Sequence, residues 1–463
     1  MHPIGNESMH SPAQLKTQAA RDTQSYHFPP GLKHNLAWYA FRQFRPADPI
    51  HLFEYLAREF GTIAHYKLGP SHIVFVNDPA LIREVLVVQH DNFVKERTQR
   101  RTKMLLGEGM ITAEGAKHRT ERRAAQPAFY RERLASYANA IVEETQAATA
   151  QWQRGKIIDL SQCMMQLTLR IVARALFSTN LRREAQELAD AINDIMGIYN
   201  YLVGLPAVEL LIHLRAPIVS RFPKARARID DVIYRMIDSR LADSADQDDL
   251  LTLMIQSAEE PLDRDDIRDQ VVTIFLAGYE TVANALTWTL YLLSQNPEAE
   301  HRLHAEVAQV CGDRLPSYAD VPSLKYTEHV FAESLRLYPP AWAMGRQAIR
   351  DFGLGPYRLP AGTTVLISQF VTHRDPRYWD DPLAFRPERL ANTNFRQRMI
   401  YFPFGAGPRQ CIGERFAWME GVLILATIAQ RWRLSLVPGH RIALQPLITL
   451  RPKHGMRMTI EPR

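Results

Sequence analysis

The first strong pattern along the chain is a pair of β-branched and aromatic runs, Thr62 to Leu68 and His72 to Val76. They are split by Gly69-Pro70-Ser71, which predicts a hairpin. From Pro79 to about Phe177 the pattern is mainly helical, and Leu134, Tyr137, Ala138, Ile141 and Val142 recur at the spacing of one helix face. Residues 196 to 220 are unusually apolar for a connecting region. They predict either packed helix ends, or a greasy pocket entrance or membrane-touching patch. Between Gln270 and Gln295 the only charged residue is Glu280, so a long apolar helix is expected there. Asn296-Pro297 predicts a cap with proline at the first helical position, and Leu303, Val307, Val310 and Cys311 then share a face. A further helix runs from about Thr327 to Leu337 and stops at Pro339-Pro340. After an apolar helix from Phe416 to about Gln430, strands return at Trp432 to Val437 and Met456 to Ile460, joined through a Pro438-Gly439 turn.

The order is therefore a small β portion, a large helical portion, and β again. No repeat, low-complexity linker or break in composition divides it. A length of 463 residues would ordinarily suggest about three domains. The pattern instead predicts one mainly α (α+β) unit over residues 26–463, preceded by a loose arm over residues 1–25. Hydrophobic content of 46% and charged content of 23% suit a soluble chain with a large core and exclude a disordered or multi-span protein. The 270–295 stretch is long enough to cross a bilayer. Glu280 near its middle, and the lack of a second such stretch, favour a buried central helix. Met1 to Gln24 is polar without an apolar core, so no signal peptide or N-terminal anchor is expected. The net charge, 56 − 50 = +6, is too dilute for a nucleic-acid partner but leaves room for a locally basic face. Cys163, Cys311 and Cys411 form no disulfide framework, which points to a reducing compartment, the cytoplasm.

The sharpest chemical signal is Phe404-Gly405-Ala406-Gly407-Pro408-Arg409-Gln410-Cys411-Ile412-Gly413, followed by a helix. Glycines let the backbone pass close to a flat ligand and point N–H groups at the sulfur. The helix start adds a positive dipole end. Loop and dipole together are expected to favour a thiolate, a soft ligand suited to iron. Cys163 and Cys311 lie on helical stretches without such a frame and read as structural.

This ten-residue run resembles the haem-thiolate loop of the cytochrome P450 family, and the resemblance extends roughly from Pro29 to the end of the chain. It implies that Cys411 is the axial thiolate of a haem b iron, framed by Phe404, Gly405 and Gly413. Glu333-Ser334-Leu335-Arg336 resembles the family's Glu-x-x-Arg element, with Arg389 of Phe385-Arg386-Pro387-Glu388-Arg389 as the third member of a buried ion network. Leu390 stands where the family often has phenylalanine. Ala277-Gly278-Tyr279-Glu280-Thr281 resembles the oxygen-activation segment, whose helix opens a groove over the haem. That implies Thr281 beside bound dioxygen and Glu280 relaying protons, an acid–hydroxyl pair suited to a dry site. By itself the glycine reads equally as a tolerated kink, and the threonine as a side chain bonding back to a carbonyl one turn earlier. His118, Arg122, Arg346 and Arg409 match family positions that hold the haem propionates, His118 replacing the familiar tryptophan. Lys117, Arg119 and Arg123 should face outward, either as a solvated basic face or as a docking face for an acidic electron donor.

The resemblance implies a monooxygenase that uses dioxygen and two electrons from a separate partner, a ferredoxin or flavodoxin with its reductase. Candidate pocket walls are Ala277, Thr281, Ala341, Trp342, Ala343, Leu447, Ile448 and part of 92–112. They are mostly apolar and suggest a lipophilic substrate. Pro339-Pro340-Ala341-Trp342 looks like the segment of some bacterial terpenoid oxidases, which places terpenoids first and fatty acids second. Two alternatives stay open: a haem-binding sensor without turnover, and a peroxide-using or rearranging member of the same fold. Glu280 and Thr281 count against the latter.

Overall fold

The structure, a computed structural model, describes residues 25–36, 49–177, 187, 190–191, 217–242, 249–257, 263–391 and 398–463. Its helices of eight residues or more are α1 (Pro49–Phe60), α2 (Gly115–Ala125), α3 (Arg131–Thr149), α4 (Leu160–Phe177), α5 (Pro217–Ala242), α6 (Leu250–Ser257), α7 (Arg264–Gln295), α8 (Pro297–Cys311), α9 (Lys325–Leu337) and α10 (Glu414–Ala429). The apolar stretch around Glu280 is the centre of α7, which runs for 32 residues. Asp263 caps it by accepting the Asp266 N–H, and Asp265 and Asp266 complement the helix dipole in the first turn. Its middle is apolar on every side because α4, α9 and α10 surround it. Among the described residues no helix is long and apolar enough to cross a membrane.

Leu134, Tyr137, Ala138, Ile141 and Val142 are all buried on α3, as their spacing requires. They share one core with α4, α7 and α10. Gly278 has a packing reason. A Cβ there would lie 2.9 Å from Val172 Cγ2 on α4, so the glycine lets the two helices approach. The helix assignment continues through it.

The strands are short: β1 (Ile63–Leu68), β2 (Ser71–Val76), β3 (Phe93–Lys95), β4 (Ile157–Asp159), β5 (Met344–Ala348), β6 (Phe352–Leu354), β7 (Tyr357–Leu359), β8 (Thr364–Ile367), β9 (Trp432–Leu436), β10 (Leu444–Pro446), β11 (Leu450–Pro452) and β12 (Arg457–Pro462). The expected hairpin is β1–β2, with Gly69 at φ +59 in its turn. It extends into a five-stranded sheet in the order β1-β2-β8-β5-β3. The C-terminal strands β9 and β12 pair as expected, and β12 also takes β4 as a neighbour. The small β10–β11 pair was not anticipated. Its turn, Leu447 and Ile448, lies beside the middle of α7.

Asn296 caps differently from expectation. Its side chain makes no bond to the start of α8, and instead donates to the Leu292 carbonyl, closing α7. The apolar 196–216 stretch lies outside the described residues, as does the expected N-terminal arm up to residue 24.

Candidate functional site

The cysteine loop folds back on itself before α10 begins. Cys411 N–H donates to the Phe404 carbonyl at 2.9 Å, and Gln410 N–H to Gly407 O at 3.0 Å. Gly405 (φ +73) and Gly407 (φ +72) occupy the left-handed region, where a side chain would be strained. Gly407 also abuts the turn at residues 84–88: a Cβ on it would meet Leu86 O at 2.1 Å. Gly413 differs from the other two. It caps α10 at φ −84 and a Cβ there would make only ordinary contacts, so it owes nothing to backbone strain. Its N–H bonds the Cys411 sulfur.

Cys411 has accessible surface, yet its sulfur lies deep among protein atoms. Burial pushes the thiol up to about 11, outweighing the Gly413 N–H and the positive charge of Arg122. A coordinating metal deprotonates a thiol outright. By contrast Cys163 is half-buried on α4 and Cys311 buried on α8, with no such frame.

A group of basic side chains stands beside the loop. His118 and Arg122 share a face of α2, and Arg122 Nη1 donates to the Gln410 carbonyl at 2.7 Å. His118 is buried, not exposed, and burial together with Arg409 and Lys95 lowers it to about 4. Arg346, on β5, bonds its neighbouring Gly345 carbonyl at 2.8 Å, and burial with Arg409 lowers it to about 10. Arg409 pairs with Glu114. Lys95 on β3 completes the group: it is buried, and its Nζ donates to Ala113 O at 2.6 Å. Neither Arg122 nor Arg346 has an ion-pair partner among the described residues. Half-buried cations without an ion-pair partner call for an anion. The carboxylates of a haem supply one, and the residues present fit that group. Lys95 and Glu114 were missed in the sequence, where neither lies in a recognisable motif.

Lys117 proves to be engaged. It is exposed, as expected, and its Nζ also bonds Asp266 at 2.7 Å at the start of α7. Arg119 and Arg123 are exposed and line one shallow cleft with His118, Arg122, Tyr130 and Pro408.

On α7, Thr281 Oγ1 donates to the Ala277 carbonyl at 2.6 Å. Glu280 is 1% exposed and accepts from Thr449 Oγ1 and from Arg451 Nε, the latter at 2.8 Å. No hydrogen bond joins Glu280 to Thr281 among the described residues. The Glu333–Arg336 pair is completely buried and bidentate, with both bonds at 2.8 Å. Arg389 Nε adds a bond to Glu333 Oε1 at 2.9 Å, and Arg336 also donates to the carbonyls of His373, Pro382 and Ala384. An ordinary i,i+3 surface pair contributes tenths of a kcal/mol; this one organises the chain around residues 373–389. Leu390 packs against Ala332, Trp379, Ile400 and Tyr401.

Two of the candidate pocket segments meet. Trp342 Nε1 donates to Leu447 O at 2.8 Å, and Leu450 N–H to Pro340 O at 3.0 Å. Asn284 Nδ2 donates to Thr449 Oγ1 at 3.0 Å, joining the same turn to α7 below Ala277 and Thr281. Gln270 Oε1 accepts from Met110 N–H at 3.1 Å, which brings in the 92–112 segment. Ala341 and Ile448 are exposed, while Ala343 and Leu447 are half-buried. The Trp342 ring turns toward the N-terminal cluster, 6.0 Å from Phe53, and so braces the wall from behind.

A family model described as Cytochrome P450 matches residues 29–456. Cyclooctatin synthase of Streptomyces melanosporofaciens is 40% identical over 410 residues, 87% of this chain and 89% of that one. Cyclooctat-9-en-7-ol 5-monooxygenase of the same organism is 37% identical, with 89% of each chain covered. Pentalenene oxygenase of Streptomyces avermitilis is 33% identical, covering 92% of this chain and 95% of that one. By this match over most of its length and these relatives, the chain belongs to the cytochrome P450 family and is a haem-iron monooxygenase.

Proposed function

We propose that this protein hydroxylates a terpenoid, with fatty acids as the second choice of substrate. The reading is supported by the apolar character of Ala341, Trp342, Ala343, Leu447 and Ile448, in two segments that the Trp342–Leu447 bond joins and the Asn284–Thr449 bond ties to α7. It is supported by three relatives whose names carry cyclooctatin, cyclooctat-9-en-7-ol and pentalenene.

Haem b, when bound, supplies the binding and activation of dioxygen. Cys411 would supply a thiolate to its iron, with Phe404, Gly405 and Gly413 shaping the loop around the sulfur. His118, Arg122, Arg346 and Arg409, joined by Lys95, would hold its carboxylates. Glu333, Arg336 and Arg389 keep the scaffold on the cysteine side in place. The reaction consumes two electrons and two protons, puts one oxygen atom into a C–H bond and releases the other as water. Thr281 spends its own proton on Ala277 O, which leaves its oxygen lone pairs to accept a hydrogen bond. Glu280 is the nearby acid that handles protons. Residues 26–463 act as one catalytic unit. Electrons come from a ferredoxin or flavodoxin with its reductase, docking at the Arg119–Arg123 cleft, in the cytoplasm.

The test takes two steps on the purified protein. A carbon monoxide difference spectrum of the reduced protein should show the thiolate band of the family. Cyclic terpenes should then shift the spin state of the ferric protein at lower concentration than fatty acids. Tighter binding of fatty acids would reverse the order of substrates. A haem band at the shorter wavelength of a neutral ligand in well-folded protein would count against Cys411.

A further inference from the structure

Arg451 lies on β11, a strand with no sequence signal of its own, and reaches the middle of α7. Its Nε donates to Glu280 Oε1 at 2.8 Å. Thr449 Oγ1 donates to the same oxygen. Asn284 bonds Thr449 Oγ1, and Trp288 Nε1 donates to Leu450 O at 3.0 Å. Residues 280, 284 and 288 stand one turn apart on α7 and so face a single strand. That strand follows directly on the Leu447-Ile448 turn, which Trp342 and Pro340 hold from the other side.

The chemistry of the pair is asymmetric. An arginine does not give up its proton at any working pH, so Arg451 cannot itself carry one. A buried carboxylate without a cation is costly, and a buried guanidinium without an anion equally so. Both bonds to Glu280 fall on Oε1, and no hydrogen bond among the described residues falls on Oε2. Tyr279 is the other titratable group acting here, and burial holds its phenol protonated. Removing the Glu280 carboxylate would leave Arg451 with a second buried nitrogen to satisfy, since its Nη2 already lacks a partner.

We propose that Arg451, assisted by Thr449, is a positioning residue for Glu280: it pairs with the carboxylate and fixes it against the strand that carries the pocket turn. This rests on the reading of Glu280 as the proton-handling side chain. The acid of the helix and the wall of the substrate pocket are then parts of one hydrogen-bonded unit, and the C-terminal hairpin belongs to the proton-handling apparatus.

The test compares Glu280→Gln, Arg451→Gln, Arg451→Lys and Thr449→Val in the haem-loaded protein. One readout is the titration of the Glu280 carboxyl by infrared difference against Glu280→Gln, recorded without turnover. The other is the share of electrons recovered in product rather than in peroxide, measured across pH. Loss of the cation disfavours the charged carboxylate. Arg451→Gln should therefore move the titration to higher pH by about one unit or more, and the coupling profile with it. Arg451→Lys should restore most of the shift, and Thr449→Val should give a smaller shift in the same direction. A titration unmoved in Arg451→Gln overturns the proposal. If Arg451→Gln does not fold, titrations unmoved in both Arg451→Lys and Thr449→Val overturn it. Coupling that is unchanged in Glu280→Gln at every pH instead removes the proton-handling role of Glu280, while the infrared titration still decides whether Arg451 holds the carboxylate.

Discussion

Trp342 donates its indole N–H to the carbonyl of Leu447 at 2.8 Å, so the segment after the Pro339-Pro340 stop and the C-terminal turn form one wall. Trp342→Phe keeps most of the ring but leaves that carbonyl without its donor. The loss is about 1 kcal/mol. If the wall is what the substrate feels, binding weakens by about fivefold. A spin-state titration with a cyclic terpene, set beside urea unfolding, separates a looser wall from a general loss of stability.

Gly278 and Val172 set the distance between α7 and α4. Alanine at 278 gains about 1 kcal/mol in helix propensity. Its Cβ would sit 2.9 Å from Val172 Cγ2, and overpacking costs about 1–3 kcal/mol. Gly278→Ala is expected to destabilise. Adding Val172→Ala removes the obstructing methyl, so the double variant should lose less than the sum of the two singles. Unfolding curves of the four proteins check this.

His373 gives a pH dependence. It is fully buried, its Nε2 accepts the Phe402 N–H at 3.0 Å, and burial, followed by Arg336, lowers it to about 3 from 6.5. The unfolded chain binds a proton below 6.5 that the folded chain refuses until about 3. The stability this group contributes is complete above 6.5 and is lost as pH falls toward 3, at about 1.4 kcal/mol per pH unit. His373→Gln should flatten the stability profile between these limits by that slope, measured by urea unfolding at several pH values.

Thr281→Ala removes the hydroxyl that bonds Ala277 O. The expected outcome is a higher share of electrons released as peroxide at similar substrate affinity. Unchanged product per electron would remove Thr281 from proton handling.

Arg119→Glu and Arg123→Glu should slow reduction by an acidic ferredoxin at low salt, with the difference shrinking as ionic strength shortens the Debye length to about 10 Å at 0.1 M. Lys117→Glu should not act in that way. Its ammonium is engaged with Asp266 at 2.7 Å, so that change should register in stability instead. Stopped-flow reduction over a salt series distinguishes them.

Local signals carried far in this chain. The β1–β2 turn at Gly69, the α3 face and the cysteine loop are all written in neighbouring residues, where periodicity or a glycine frame declares itself. The Glu333–Arg336 pair was visible only through the family resemblance. Its spacing alone describes a surface pair, and only the tertiary structure buries it. Lys95, Glu114 and Arg451 were not legible, because each acquires meaning from a partner distant in the sequence. Arg451 meets Glu280 across 171 positions, and nothing around residue 451 marks it. Gly278 was legible as an exception but not in its cause, since its neighbour Val172 lies on another helix.

The contact between Gly407 and Leu86 bears on the order of events during synthesis. Leu86 emerges from the ribosome early and Cys411 late, yet a Cβ on Gly407 would sit 2.1 Å from the Leu86 carbonyl, so each segment is the mould of the other. A nascent chain that has not yet delivered residue 411 has the receiving surface without the ligand loop. The loop that carries Cys411 therefore takes its shape only once two segments far apart in the sequence have met.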